Sequence, residues 1–275
     1  MIDRSIIEDF LAPTISTEVA HYTRIGTLCH MISPGGWSSA RATPVQFLND
    51  RRELALGLDV LRNVAGKRPE SSRQVRDLIE RLITSHGSLA TDAFQMSFSG
   101  QRDELGQWRA YAANGYGCSV VTDASAVRAI ADIAGWVIYE PEKQASFAYK
   151  VLNRLRGERQ EEVLMQLITA AASFMKDEGF KPEAEFRLLR FPPASEVEFR
   201  ENGERLVPFV DFLKKAGATL PVKKIMIGPS WQLAELLPGE RNRNHVVQGI
   251  QRLLTASGLG KTAEILPSAI PYDPR

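Results

Sequence analysis

Glu183-Ala184-Glu185-Phe186-Arg187-Leu188-Leu189-Arg190-Phe191 is the stretch on which the fold turns. Read as a β-strand over 183–191, its side chains alternate between two faces. Glu183, Glu185 and Arg187 share one face; Ala184, Phe186 and Leu188 share the other. The two carboxylates lie about 6.5–7 Å apart along such a strand. They form either a solvated face with an internal salt bridge or the charged floor of a site. Further strands are predicted at 195–200, 205–210 and 222–228, with Pro192-Pro193 separating the first two. The last third of the chain is therefore strand-rich.

Upstream, helices and strands interleave. Residues 17–32 read as a strand running into a helix, Gly35-Gly36 as a turn, and Trp37-Ser38-Ser39 as a short strand. Phe47, Leu54, Leu58 and Leu61 fall at helical spacing after Pro44, which predicts a helix to about Val64. A second helix is predicted to about His86, ended by Gly87. Residues 92–98 and 118–122 read as strands, with Asp103 capping a helix through Ala113 between them. A helix at 125–134 and a strand at Trp136–Tyr139 follow. The stretch 142–178 reads as a long helix interrupted near Gly157, apolar on most faces from Val163 to Met175. The tail holds a helix at 243–256 and a strand around 263–266. Regular βαβ alternation is absent, which argues against a doubly wound sheet. The expectation is one α+β domain over 1–275, with a mixed, mainly antiparallel sheet flanked by helices and helical insertions at about 44–86 and 142–178.

The 275 residues are 44% hydrophobic and 24% charged, enough apolar residues for a sizeable core. The formal net charge of +1 gives no global field toward nucleic acid or acidic lipid. Two cysteines, Cys29 and Cys118, are too few for a disulfide framework. Met1–Phe10 has no apolar run of a signal peptide, and no stretch reaches 18 apolar residues. A cytoplasmic protein with no membrane partner is expected. Cys29-His30 lacks a second pair at ligand spacing, so no metal centre is expected. Gly258-Leu259-Gly260-Lys261 lacks the spacing of a phosphate-binding loop.

Polar residues recur beside strands: His21-Tyr22-Thr23, Asn49-Asp50 with Glu53, Ser97-Phe98-Ser99, Trp108 with Tyr111, the Glu183–Arg187 stretch, and Ile227-Gly228-Pro229-Ser230. Each has a plain structural reading. His21 suits a core histidine, and Asp50 with Glu53 an exposed ion-pair face. Trp108 and Tyr111, three residues apart on a helix, suit a packing stripe. Ser230 suits a helix cap.

Taken in order, H-Y-T, N-D-x-x-E, S-F-S, W-x-x-Y-A, E-x-E-F-R and I-x-I-G-P, closing with Ser268 and Tyr272, the set resembles a bacterial family known as domain of unknown function 2971. The resemblance covers roughly 20–272. Its order of a strand histidine, an S-x-S strand and a late E-x-E strand is similar to that of mono-ADP-ribosyltransferases, whose split sheet grips NAD. That resemblance implies roles. Glu185 would hydrogen-bond the ribose 2′-hydroxyl and stabilise the positive charge that builds on the ribose as the nicotinamide bond breaks. Glu183 would orient or deprotonate an acceptor. His21, with Tyr22 and Thr23, would contact the other ribose. Ser97 and Ser99 would hold Glu185 or the ribose, Trp108 or Tyr111 would stack on nicotinamide, and Arg187 would pair with the pyrophosphate or with Glu185.

The implied activity is ADP-ribosyl transfer or NAD hydrolysis, with NAD as substrate and a protein or nucleic acid as acceptor. It suits a toxin or antiphage (antiviral defence) effector with a partner or antitoxin protein. Two other readings stay open: a non-catalytic nucleotide- or protein-binding module, and a metal-dependent nuclease or hydrolase using Asp50, Glu53 and Glu185.

Overall fold

A computed structural model describes residues 3–11, 14, 16–47, 51–67, 73–85, 93–231 and 243–272. The fold is α+β, with mixed, mostly antiparallel strand pairing flanked by helices. The chain divides into two compact units, each assembled from three segments. The first holds residues 1–15, 41–97 and 131–210; the second holds 16–40, 98–130 and 211–275.

The first unit is built on four helices, Arg51–Gly66, Arg73–Thr84, Pro141–Arg154 and Glu161–Ser173. Leu58, Leu61, Leu78, Ile79, Leu82, Phe147, Val151, Leu164 and Ile168 bury their side chains in one apolar core. The Arg73–Thr84 helix shows why: Val75, Leu78, Ile79 and Leu82 line one face at three- and four-residue spacing. Burying each such side chain is worth about 1.5–3 kcal/mol. Against this core, Glu185–Arg190 pairs with Ile133–Trp136 in antiparallel register, Ile133 opposite Leu189 and Trp136 opposite Phe186. Glu185–Arg190 also neighbours Phe94–Ser99, whose residues 94–97 belong to this unit. Thr43 opposite Gln95 adds Arg41–Pro44, and Glu198–Asn202 with Arg205–Asp211 forms a hairpin turned at Gly203.

In the second unit Glu18–Thr23 pairs antiparallel with Cys118–Asp123 along its whole length, and Ala20 lies opposite Ser99. Cys118–Asp123 pairs antiparallel with Lys224–Ile227, which pairs in parallel with Glu264–Pro267. That parallel pair makes the sheet mixed. Tyr22, Trp108, Ala112, Val121 and Met226 form its small core.

Several boundaries differ from the sequence reading. Glu183 is not on the strand: it ends a 3-10 helix, Glu178–Glu183, and Ala184 turns the chain at φ 42° before the strand opens at Glu185. Pro44 closes a short strand instead of opening a helix, and the helix begins at Arg51. The strand expected at Trp136–Tyr139 runs over Ile133–Trp136, within an apolar run whose pattern sets no register. It takes the end of the helix expected at 125–134, which stops at Arg128. The helix after Asp103 is Leu105–Tyr111 and is capped by Glu104, whose carboxylate accepts from the Gln107 N–H. Asn49, Asp50, His86 and Gly87 lie outside the described residues, as does the side chain of Glu53.

Among the described residues no helix is long and apolar enough to cross a membrane. Both cysteines are free, Cys29 exposed and Cys118 buried.

Candidate active site

Glu185 opens its strand with its carboxylate turned inward, and the residue is 6% exposed. Arg187, two residues on and on the same face, grips it with two prongs, Nε to Oε1 at 2.8 Å and a terminal nitrogen to Oε2 at 2.7 Å. The other terminal nitrogen of Arg187 donates to the Ser173 carbonyl, where the Glu161–Ser173 helix ends. A helix C-terminus offers unpaired carbonyls and partial negative charge, so the guanidinium suits that end. The face read as either solvated or site-forming is buried, and its internal pair is a buried ion pair.

Lys176 completes the cluster. It follows the apolar Glu161–Ser173 helix and is 3% exposed. Its ammonium donates to Glu183 Oε2 at 2.6 Å and to Glu185 Oε2 at 3.2 Å. It also lies 4.7 Å from the centre of the Phe180 ring. The left-handed turn at Ala184 makes this bridge possible, because it turns Glu183 out of the strand and over Lys176. Two carboxylates and two cations therefore share one buried patch with no net charge, the arrangement that offsets desolvation of each.

The backbone N–H of Glu185 donates to the Tyr139 hydroxyl at 2.9 Å, and Ser97 hydrogen-bonds the Glu185 carboxylate from the neighbouring strand. Gln95 in turn donates to the Ser97 oxygen at 3.2 Å. Burial pushes the Glu185 carboxyl up, but the Arg187 and Lys176 charges and the hydrogen bonds from Arg187 and Ser97 outweigh it. They hold the carboxyl down to about 2. The group is ionised at neutral pH.

Other expected residues lie in the second unit. His21 is half-buried in an aromatic triangle, its ring centre 5.6 Å from those of Trp37 and Phe98. Tyr22 is buried, its hydroxyl donating to the Gln101 carbonyl and accepting from the Glu104 N–H. Trp108 is fully buried edge-on against Tyr22, its indole N–H donating to Asp103 at 2.7 Å. Its packing reading fits that position. Tyr111 is 49% exposed. Thr23 is buried at the strand end, with its carbonyl against Gly117. Ser99 is buried and accepts from the Gln101 N–H. Ser230 donates to the Asn114 carbonyl.

The first unit thus joins Ser97, Glu183, Glu185 and Arg187, while the second holds His21, Tyr22, Thr23, Ser99, Trp108 and Tyr111. The sequence reading missed Lys176 and Tyr139. A lone lysine directly after a helix buried on most faces was the available signal for Lys176, since a buried lysine needs a partner. Tyr139 lies 46 residues from Glu185 and carried none. Among the described residues no three His, Cys, Asp or Glu side chains are grouped to hold a metal.

Residues 107–188 match a family described as a protein of unknown function (DUF2971), and over that stretch the chain is similar to it. The match contains Trp108, Tyr111, Glu183, Glu185 and Arg187. No curated protein and no solved structure matches the chain.

Proposed function

We propose that the chain acts on the nicotinamide–ribose bond of NAD, by ADP-ribosyl transfer or hydrolysis, with Glu185 as the charge-stabilising carboxylate. The observation that carries this reading is the meeting of Ser97 and Glu185 on neighbouring strands, the serine hydrogen-bonded to an ionised, buried carboxylate. A cation forming on a ribose is stabilised best by a fixed anion in a dry site. Glu183, more exposed than Glu185, is the group left to meet an acceptor. The reading extends to a cytoplasmic toxin or defence effector held by a partner protein, with a protein or nucleic acid as acceptor.

A second reading has its own support. Both Glu185 oxygens are already taken by Arg187 and Lys176, and Tyr22 and Trp108 spend their polar groups on the fold. A non-catalytic module that binds a nucleotide or a protein needs no available carboxylate. Calorimetry with NAD and ADP-ribose, run beside a nicotinamide-release assay, separates the two. Release that depends on Ser97 and Glu185 supports the transferase. Tight binding without release assigns the module. The metal-dependent hydrolase reading is not carried forward, because Asp50 and the side chain of Glu53, on which it rests beside Glu185, lie outside the described residues.

A further inference from the structure

We infer that Gln144 is a positioning residue for the Glu183–Lys176–Glu185 network. Gln144 lies in the first turn of the Pro141–Arg154 helix and is 4% exposed. Its side-chain nitrogen donates to the Lys176 carbonyl at 2.7 Å, the Ile138 carbonyl at 2.8 Å and the Tyr139 carbonyl at 3.3 Å. Two N–H protons serve three carbonyls, so the longest contact is a shared one.

The residues so tied are the ones that hold Glu185. Tyr139 accepts from the Glu185 N–H, and Lys176 bridges the Glu183 and Glu185 carboxylates. The two segments also meet through the Lys176 N–H donating to the Ile138 carbonyl at 3.2 Å and the bridge between Ile138 and Met175. Gln144 therefore sets where the Lys176 ammonium stands relative to both carboxylates, without adding charge of its own. The titratable and charged groups around Glu185 are Arg187, Lys176, Glu183 and Tyr139. Only Lys176 and Tyr139 have their backbones held by Gln144. An apolar side chain of similar size would take this donor from the Lys176 and Tyr139 carbonyls, leaving the 138–139 and 176 segments tied only through the Ile138 backbone.

The catalytic meaning of this role rests on the transferase reading, but its test does not. The Glu185 side-chain carboxyl carbon is followed by carbon-13 NMR against pH in the wild type and in Gln144→Leu. In the wild type the resonance stays at its ionised position through the range where exposed glutamates titrate. In the variant the midpoint rises by about one pH unit, as expected when one of two cations withdraws. A folded Gln144→Leu with an unchanged midpoint overturns the inference, since a merely structural glutamine costs stability without moving this titration.

Should that variant not fold, the wild type decides. Scalar coupling from the Gln144 side-chain nitrogen to the Lys176 carbonyl carbon, with slow exchange of its protons, supports the clasp. Exchange as fast as for an exposed glutamine overturns it. Absence of nicotinamide release from the wild type counts against the transferase reading and leaves the Gln144 result to be judged on the titration.

Discussion

Arg187 and Glu185, two residues apart on one strand face and both buried, form a two-pronged ion pair at 2.8 and 2.7 Å. The fork matches the carboxylate plane, and the third guanidinium nitrogen reaches the Ser173 carbonyl. Arg187→Met strands a buried carboxylate with Lys176 as its remaining cation. A stability loss of about 3–5 kcal/mol is expected from urea denaturation at neutral pH. Arg187→Lys keeps the charge but loses the fork, so it falls between wild type and Met. Equal losses for Lys and Met would contradict this order, since they would mean that the charge without the fork contributes nothing.

Acid should unmake this pair in a defined window. Glu185 has an ordinary value of 4.5 and is held down to about 2 in the fold. A depressed carboxyl stabilises the fold above its unfolded value, and that stabilisation is lost as pH falls from about 4.5 to about 2. The contribution is on the order of 3 kcal/mol. Stability measured against pH should therefore fall more steeply for the wild type than for Glu185→Gln within that window. Parallel curves would mean that Glu185 titrates alike in the folded and unfolded chains.

Gly57 lies where the Arg51–Gly66 helix crosses the Glu161–Ser173 helix. A methyl there would stand 2.2 Å from the Ala172 carbonyl oxygen and 2.6 Å from its Cα. Alanine is favoured over glycine in a helix by about 1 kcal/mol. The clash is with backbone and cannot be relieved by a rotamer change, so Gly57→Ala should lower stability by about 1–3 kcal/mol net in thermal or urea unfolding. A gain in stability would show that the two helices have room to part.

Asp103 collects three donors in the second unit: the Trp108 indole N–H, the Ser268 hydroxyl and the Ala269 N–H. Asp103→Ala leaves them without that acceptor. Hydrogen exchange at 268–270 should speed up, with a local loss of about 1–3 kcal/mol. Unchanged protection at Ala269 would contradict this anchor.

What the sequence disclosed follows the range of its signals. Period-two alternation in Phe186-Arg187-Leu188 and period-four spacing in Val75, Leu78, Ile79 and Leu82 are local, and they yielded the strand, the helix and the α+β class. The order of motifs led to Ser97 and Glu185, which do meet. Glu183 was misplaced because alternation assumes an unbroken strand, whereas the left-handed Ala184 interrupts it. Nothing in a small alanine announces a positive φ. The cap went to Asp103 instead of Glu104 because two adjacent acids offer the same chemistry, and only backbone direction decides between them. Lys176, Tyr139 and Gln144 escaped notice because their roles arise where separate segments meet, which no spacing rule encodes.

The central claim is that an ionised Glu185, held by Ser97, acts on NAD. Nicotinamide release from NAD by wild type, Ser97→Ala and Glu185→Gln, with folding of each variant checked by circular dichroism, tests it most directly. Release by the wild type is expected, with slower release by Ser97→Ala and a loss of roughly a hundredfold or more in folded Glu185→Gln. No release by the wild type, or undiminished release by folded Glu185→Gln, would contradict it.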